Sequence, residues 1–373
     1  MGIEIREVNC KSELRKFIHL PAKIHKNHPN WVPPIYADEW IYYNPKKNKS
    51  FSYSDTSIAL AYKDNEIVGR IFCIINHRYN ESHHEKNGRF TNLECYNDQE
   101  VAHALLTYAE NWAKAKGMDK IVGCLGFSDK DPQGLLIEGF DAPIIIATNG
   151  NLPYVPKLIE NEGYVKDVDS VDYQIVIPEI VPEFYAKIYE RAMLNNDIVI
   201  HEFTKRNDLK QYIRPIFNLI NEAYAHIYAF APFEEKEMDD FANRFLFLID
   251  PAFIKLITNK EGKLMSFIIG MPDISDGIRK SKGYLFPFGL LHIMRSAKKT
   301  KMLNLLLGAI QDDYRNCGLD VIMGIKMLES CKKAGIKYID SHLILETNSK
   351  MRAEIERMSG KIYKRYRVFQ KKL

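Results

Sequence analysis

Residues 302–320 read MLNLLLGAIQDDYRNCGLD, and the change of pattern inside this stretch points to the fold. The first nine residues form an apolar run typical of a buried strand, and an amphipathic helical pattern follows Gly318. Polar residues, one arginine and one glycine stand between them. Such a junction is either an ordinary strand-to-helix turn or a cradle for phosphate, because the first N–H groups of a helix lack partners and glycine lets a ligand approach the backbone.

The same alternation of strand and helix patterns continues along the chain. Strand-like runs are predicted at 3–8, 56–62, 66–75, 120–127, 172–177, 198–203, 252–258, 263–271, 302–310, 337–345 and 361–369. Helical patterns cover 100–116, 152–162, 207–248 and the residues after 318. Strands that alternate with helices predict an α/β (α+β) protein with a mixed sheet flanked by helices.

Length and composition limit the classes of function. A chain of 373 residues is long enough for about two domains. The net charge of +4 is too small to indicate nucleic acid, and six cysteines without a CxxC pair predict reduced thiols rather than a metal site. No apolar run approaches the ~18 residues of a membrane helix. We therefore expect a cytoplasmic protein without a nucleic-acid, membrane or metal partner.

An internal repeat predicts two related domains. ENWAKAKGMDKIVGCL (110–125) and ESCKKAGIKYIDSHL (329–343) both describe a lysine-rich helix end, a glycine cap at Gly117 or Gly335, and a strand. Farther on, Asn151 precedes Gly163 by 12 residues, and Asn348 precedes Gly360 by 12. We place the domains at 1–178 and 179–373, joined by PEIVPE, with an additional segment at 128–143 in the first.

The order of these elements resembles the acyl-CoA site of GNAT-type acetyltransferases. Their pattern is a strand, [R/Q]-x-x-G-x-[G/A], a helix, a strand and a helix led by asparagine. YRNCGLD matches it at Arg315 and Gly318, whereas Asp320 replaces the last small residue. SHLILETNSKMR (341–352), GKIYKRYRVF (360–369) and HPNWVPP (28–34) are similar to an uncharacterised subgroup with two tandem GNAT-like domains. The resemblance covers nearly the whole chain and implies two mixed, mostly antiparallel sheets flanked by helices.

The resemblance also implies a cofactor and a reaction. Acetyl-CoA or another acyl-CoA is expected in the second domain, with transfer to an amine of a small molecule or peptide. The implied cofactor-binding residues are Ile310, Gln311, Arg315, Asn316, Cys317, Gly318, Leu319, Asp320 and Asn348. The equivalent loop of the first domain, ECYNDQEVAH, has no glycine and carries Glu94, Asp98 and Glu100, so we expect no CoA site there.

Candidates for the chemistry lie near the strand that follows the helix. Strand alternation would place Tyr338, Asp340 and His342 on one face, and His342 and Glu346 are the candidate catalytic bases. Ordinary packing is the more frequent role of a strand histidine such as His342. Asn348 is better explained as the cap of the next helix, which is compatible with a place near the CoA arm. Glu356 stands where the GNAT pattern has the tyrosine that protonates the leaving thiol. The predicted substrate-binding residues are Asn221, Tyr224 and Glu235.

Three functions remain open from the sequence. The first is an acyl-CoA-dependent N-acyltransferase. The absent tyrosine instead favours a non-catalytic protein that retains the fold as a binding or sensing module. Paired GNAT-like domains also occur in transferases that use aminoacyl-tRNA, although the modest net charge argues against this third alternative.

Overall fold

The computed structural model describes residues 2–195, 197–245 and 249–373. The strands are β1 (Glu4–Glu7), β2 (Ser54–Lys63), β3 (Glu66–Asn76), β4 (Asn87–Cys95), β5 (Lys120–Gly123), β6 (Leu135–Glu138), β7 (Val165–Val176), β8 (Val199–Glu202), β9 (Ile254–Thr258), β10 (Leu264–Pro272), β11 (Met302–Ile310), β12 (Tyr338–Asp340), β13 (Ile344–Leu345) and β14 (Lys361–Lys372). The helices are α1 (Lys11–Ile24), α2 (Tyr36–Tyr42), α3 (His77–His83), α4 (Gln99–Ala115), α5 (Tyr154–Asn161), α6 (Glu183–Met193), α7 (Ile213–Ala223), α8 (Glu235–Phe245), α9 (Ser275–Lys280), α10 (Gly289–Lys299), α11 (Leu319–Ala334) and α12 (Ser349–Arg357).

The strands form one mixed, mostly antiparallel sheet of 14 strands. Its order is β1-β2-β3-β4-β5-β14-β7-β12-β11-β10-β9-β8, with β6 paired to β14 and β13 paired to β7. Helices cover the sheet with their apolar faces; α4, for example, buries Val101, Leu105 and Ala109 against β3 and β4. The predicted fold class is therefore confirmed, and the two sheets implied by the sequence are joined into one. No helix in these described ranges is long and apolar enough to cross a bilayer.

Each half of the chain contributes one strand that pairs with a strand of the other half. β7, from the first half, pairs with β12, and β14, the last strand of the chain, pairs with β5. β7 and β14 also pair with each other, from Gln174 opposite Lys361 to Val165 opposite Gln370. The division at residue 178 stays a prediction, and the sheet is continuous across it.

Two parallel strand pairs stand at equivalent places in the two halves. β4 pairs with β5 at residues 87–90, and β11 pairs with β12 at 302–304. The remaining ladders of the sheet are antiparallel. Beyond Asn304 the described chain has no further β11–β12 pairing, and β11 has a bulge at Leu306, between its pairs with Ile269 and Gly270. The two strands thus leave a gap between them, which we call the second cleft.

Several local predictions are confirmed. The apolar run 302–310 is β11, α11 begins directly after Gly318, and Gly117 and Gly335 have φ angles of 78° and 69° at the helix ends.

Other local predictions were wrong in extent. The predicted helix at 207–248 is interrupted, because α7 ends at Ala223 and α8 starts at Glu235; its last residues, 246–248, lie outside the described chain. The strand predicted at 337–345 breaks between β12 and β13, where His342 has a φ of 56°. Tyr338, Asp340 and His342 therefore do not share one strand face.

Candidate functional site

The loop 311–318 lies at the end of β11 and leads into α11. Asp312–Tyr314 form one 3-10 turn, in which the N–H groups of Tyr314 and Arg315 donate to Gln311 and Asp312. The backbone N–H groups of residues 316–321 have no acceptor anywhere in the described chain, whereas Ile322 donates to the carbonyl of Gly318. Successive free amides at the start of a 16-residue helix favour a bound anion, because the helix dipole is positive there.

The structure explains why residue 318 is a glycine, and the explanation was not evident from the sequence. Its φ of 78° lies in the left-handed region that favours glycine. A Cβ built on it would lie 3.0 Å from the Cβ of Ala192 and 3.2 Å from Cγ2 of Ile188, both on α6. The glycine therefore permits α6 to pack against the start of α11. We had expected its missing Cβ to serve a phosphate, and the close neighbour is α6.

The charges around this loop have both signs. Arg315 is about half exposed, and its guanidinium lies 2.7 Å from a carboxylate oxygen of Asp312. Asp320, in the first turn of α11, is exposed. Arg315 is the cation nearest in sequence to the free amides. Because its guanidinium is exposed, it can leave Asp312 and form charge-assisted hydrogen bonds with a phosphate instead.

The other predicted cofactor residues divide between core and surface. Leu319 is fully buried, and Ile310 packs against the same apolar cluster. Gln311 donates its N–H to the Met265 carbonyl, and its buried Oε1 has no partner in the described chain. Asn316, with a φ of 63°, and Cys317 are exposed at the surface.

His342 lies just beyond the end of β12, where the β11–β12 pairing has stopped. His342 follows the last β11–β12 pair, and its backbone N–H donates to Oδ1 of Asp340 at 2.7 Å. Its ring Nδ1 is buried without a partner in the part of the chain described. Burial lowers the pKa of the His342 imidazole, with the charge of Asp340 opposing and that of Lys364 adding to the change. The lowered pKa favours the neutral form of the ring.

A buried ionic cluster lies beside His342. Asp172, Asp340 and Lys364 are each fully buried. Tyr363 donates its hydroxyl hydrogen to Asp340 and accepts a hydrogen bond from Lys364 Nζ at 3.1 Å. Burial and the charge of Asp340 hold the pKa of Asp172 well above its usual range, although Lys364 opposes this effect. The four groups join β7, β12 and β14.

A tyrosine hydroxyl lies beside the position at which the GNAT pattern has its tyrosine. Tyr173, on β7, donates to Glu356 Oε1 at 2.5 Å and accepts from Nε of Arg352 at 3.0 Å. Its ring is buried, whereas the Glu356 side chain is half exposed. Tyr173 also exchanges hydrogen bonds with Ser341, the residue before His342. A proton donor is thus present, on a strand distant in sequence.

The two predicted residues between β13 and α12 have different environments. Glu346 forms an ion pair with Lys166 and accepts a hydrogen bond from the N–H of Asp169 at 3.4 Å. Its carboxylate is therefore already engaged. Asn348 caps α12, because its Oδ1 accepts the N–H of Met351 at 3.2 Å. The capping prediction is confirmed; the cofactor role of Asn348 stays a prediction.

The three predicted substrate residues do not form one group. Tyr224 donates its hydroxyl hydrogen to the Gly308 carbonyl of β11 at 2.9 Å, so it borders the cleft strand. Asn221 exchanges two hydrogen bonds with the backbone of Phe233 and closes the α7–α8 loop. Glu235 is highly exposed and pairs with Arg214 at 3.3 Å. No hydrogen bond or ion pair of the described residues joins Glu235 to the other two.

The equivalent junction in the first half carries its own anion. Asp98 caps α4 by accepting the N–H of Glu100 at 3.0 Å and pairs with Lys63 at 2.7 Å. A carboxylate therefore occupies the place at which the second half has free amides. The absence of a diphosphate site from the first half stays a prediction.

A buried histidine cluster fills the first half near β4. Glu94 accepts hydrogen bonds from buried Arg70 at 2.7 Å and from His25 at 3.1 Å. Burial alone would raise the pKa of Glu94, but these two partners lower it to about 2. His25 stacks on Trp31 and its Nδ1 lies 2.9 Å from that of His28. Burial and the neighbouring His25 lower the pKa of His28 to about 4.

Sequence reasoning missed Tyr173, Asp172 and Lys364 as parts of the site. The only available signal was a run of acidic residues alternating with apolar ones on β7 and a basic, aromatic β14, which together indicate complementary neighbouring strands. That signal does not indicate which residues of β7 and β14 lie opposite each other.

Comparison with known proteins supports the fold and gives one functional lead. No established family profile matches the chain. Protein YghO of Escherichia coli (strain K12) is 27% identical over 384 residues, which covers 99% of this chain and 95% of YghO. A protein named bacterial ceramide synthase, from Caulobacter vibrioides, is 24% identical over 378 residues, with coverage of 100% and 98%.

Among solved structures, a tandem GNAT protein from the clavulanic acid biosynthesis pathway aligns with a TM-score of 0.56 at 10% identity. The alignment covers 100% of this chain and 98% of that one. The chain thus has the tandem GNAT fold, as the sequence predicted.

We predict that His28 makes stability depend on pH. Its pKa of about 4 in the folded protein lies below the ordinary 6.5, so the unfolded chain binds more protons between these values. Stability is therefore retained above pH 6.5 and falls as the pH drops toward 4. In urea unfolding, the free energy of unfolding of His28→Asn should decrease less over this pH window than that of the wild type. Equal decreases in the two proteins would contradict the assignment.

Proposed function

We propose that this protein is an acyl-CoA-dependent N-acyltransferase whose acyl-CoA site lies in the second half of the chain. The observation that carries the proposal is the row of free amides at 316–321, beside a gap between β11 and β12 in a tandem GNAT fold. The amides fit a diphosphate, and Arg315 adds a charged donor. The first half offers a capped helix at the same place, so the proposal assigns it a structural role.

The proposed acceptor is the primary amine of a long-chain amino alcohol. The relative named bacterial ceramide synthase matches the chain along its full length, and a ceramide is the N-acyl product of such an amine. The acceptor side of the cleft agrees with an alkyl chain. Leu306, at the bulge of β11, packs against an apolar cluster that includes Ile274, Ile278 and Ile293.

In the proposed reaction, acyl-CoA is the co-substrate that supplies the activated acyl group. His342 receives a proton from the amine as the amine nitrogen bonds to the acyl carbon. The carbon–sulfur bond breaks, and the departing sulfur takes a proton from the Tyr173 hydroxyl. We assign the base to His342 rather than Glu346 because Glu346 is already paired with Lys166. Burial raises the pKa of Tyr173, with Arg352 opposing, so the hydroxyl keeps its proton at neutral pH.

The first test is cofactor binding. Arg315→Ala should weaken CoA binding about tenfold in isothermal titration, because it removes one charge-assisted contact. Arg6→Ala is the matched control, since Arg6 is similarly exposed and also paired with a nearby carboxylate. Absence of CoA binding by the wild type, or equal affinities of all three proteins, would contradict the proposed site.

The second test is turnover. The wild type is incubated with acetyl-CoA or palmitoyl-CoA and with sphinganine or a hydroxyl-only analogue, and both free thiol and amide product are measured. Of the two acceptors, we expect only sphinganine to cause thiol release from the acyl-CoA. For Tyr173→Phe we expect a kcat about a hundredfold lower and an unchanged KM for acyl-CoA. Tyr154→Phe, which removes a hydroxyl bonded to the Cys95 carbonyl, is the control. CoA binding without thiol release would instead favour the non-catalytic alternative.

A further inference from the structure

A large apolar surface is exposed between β10 and β11. Phe286 is 82% exposed and Phe288 66%, far above what is usual for phenylalanine in a soluble protein. The exposed large hydrophobic residues of this segment are Tyr284, Phe286, Phe288, Leu290, Leu291 and Met294. We call these six residues the apolar patch.

The apolar patch belongs to a well-packed element. On its inner side α10 buries Ile293, whose Cα lies 2.5 Å from a Cβ built on Gly277 of α9, so the two helices are in close contact. The turn before α10 is equally tight, with the N–H of Leu290 donating to the Leu285 carbonyl at 2.9 Å. The outward side chains are therefore presented by a fixed backbone.

The segment that carries the apolar patch is basic, and Asp276 of α9, which directly precedes it, is paired with Arg279. Residues 277–311 contain seven lysines and arginines and no aspartate or glutamate. The exposed cations of this segment are Lys280, Lys282, Arg295, Lys298, Lys299 and Lys301. The first half of the chain adds Lys11, Arg15 and Lys47, which line an open pocket of about 590 Å³ together with Trp40 and Tyr284.

We propose that the apolar patch and its surrounding cations bind the surface of an anionic phospholipid bilayer. Aromatic and aliphatic side chains enter the interfacial region, and lysines and arginines contact anionic headgroups. The excess of positive charge selects this partner over a second copy of the chain, because two such surfaces would repel each other. The sequence alone led us to expect no membrane partner, and the expectation was based on the absence of a spanning segment.

The apolar patch is connected to the second cleft by a shared apolar cluster. Leu285 and Ile293, directly beneath the apolar patch, belong to the same apolar cluster as Leu306 of β11. Apolar side chains thus continue from the patch to the acceptor side of the second cleft. This connection rests on the proposed function, under which a lipid amine would enter from the bilayer; the bilayer contact itself does not.

The test measures binding of the full-length protein to vesicles by sedimentation, without an activity assay. We expect binding to phosphatidylcholine vesicles that contain phosphatidylglycerol, with weaker binding at high salt and to phosphatidylcholine alone. Phe286→Ser/Phe288→Ser should lower the partition coefficient about tenfold or more, and Lys298→Glu/Lys299→Glu by roughly fivefold per charge removed. Phe286→Trp should fluoresce at shorter wavelength on binding and be quenched by brominated lipid.

Matched controls lie elsewhere on the surface. Ile180→Ser/Leu194→Ser changes two apolar residues that are at least as exposed, and Lys157→Glu/Lys187→Glu changes two exposed lysines on α5 and α6. Both controls should bind like the wild type. The proposal is overturned if the wild type does not bind anionic vesicles, or if the controls lose as much binding as the patch variants. It is also overturned if Phe286→Ser/Phe288→Ser dissociates a dimer in sedimentation velocity while vesicle binding is unchanged.

Discussion

The antiparallel ladder between β7 and β14 is the constraint on which the rest of the structure depends. Each of these strands also pairs with a short strand, β7 with β12 and β14 with β5. The edge of β12 that bonds to β7 is the one opposite the second cleft. The hydrogen bonds to β7 hold β12 in position, so β12 can separate from β11 beyond Asn304 and leave the gap between them. Asp172, Asp340 and Lys364 are fully buried at this junction, where removing the positive charge of Lys364 would leave the two carboxyl groups without their buried cation.

The two halves have one topology and opposite chemistry at the strand-to-helix junction. In the second half, the N–H groups of residues 316–321 have no acceptor in the described chain, and the nearby Arg315 is paired with Asp312. In the first half, Asp98 supplies the anion itself, and Glu94 is locked by Arg70 and His25. A helix start that already has a carboxylate cap gains little from a phosphate, because the same N–H groups cannot serve both. The two halves thus share a topology and differ in the charge at this junction.

Local features of the fold could be predicted from the sequence, because apolar runs and cap glycines act within a few residues. The strand 302–310, the start of α11 and the caps at Gly117 and Gly335 are examples. The position of β14 beside β5 could not be predicted, since the pairing joins residues more than 200 positions apart and leaves no local pattern. For the same reason Tyr173 was missed as a neighbour of Glu356, and Gly318 was explained by a phosphate before α6 was known to contact it.

Hydrogen–deuterium exchange of the full-length protein with and without acyl-CoA tests the central claim most directly, because it reports each half of the chain separately. The account predicts that the cofactor slows exchange of the amides at 316–321, with little change at 96–102. Protection confined to 96–102, or no change at 316–321 at a saturating cofactor concentration, would contradict it.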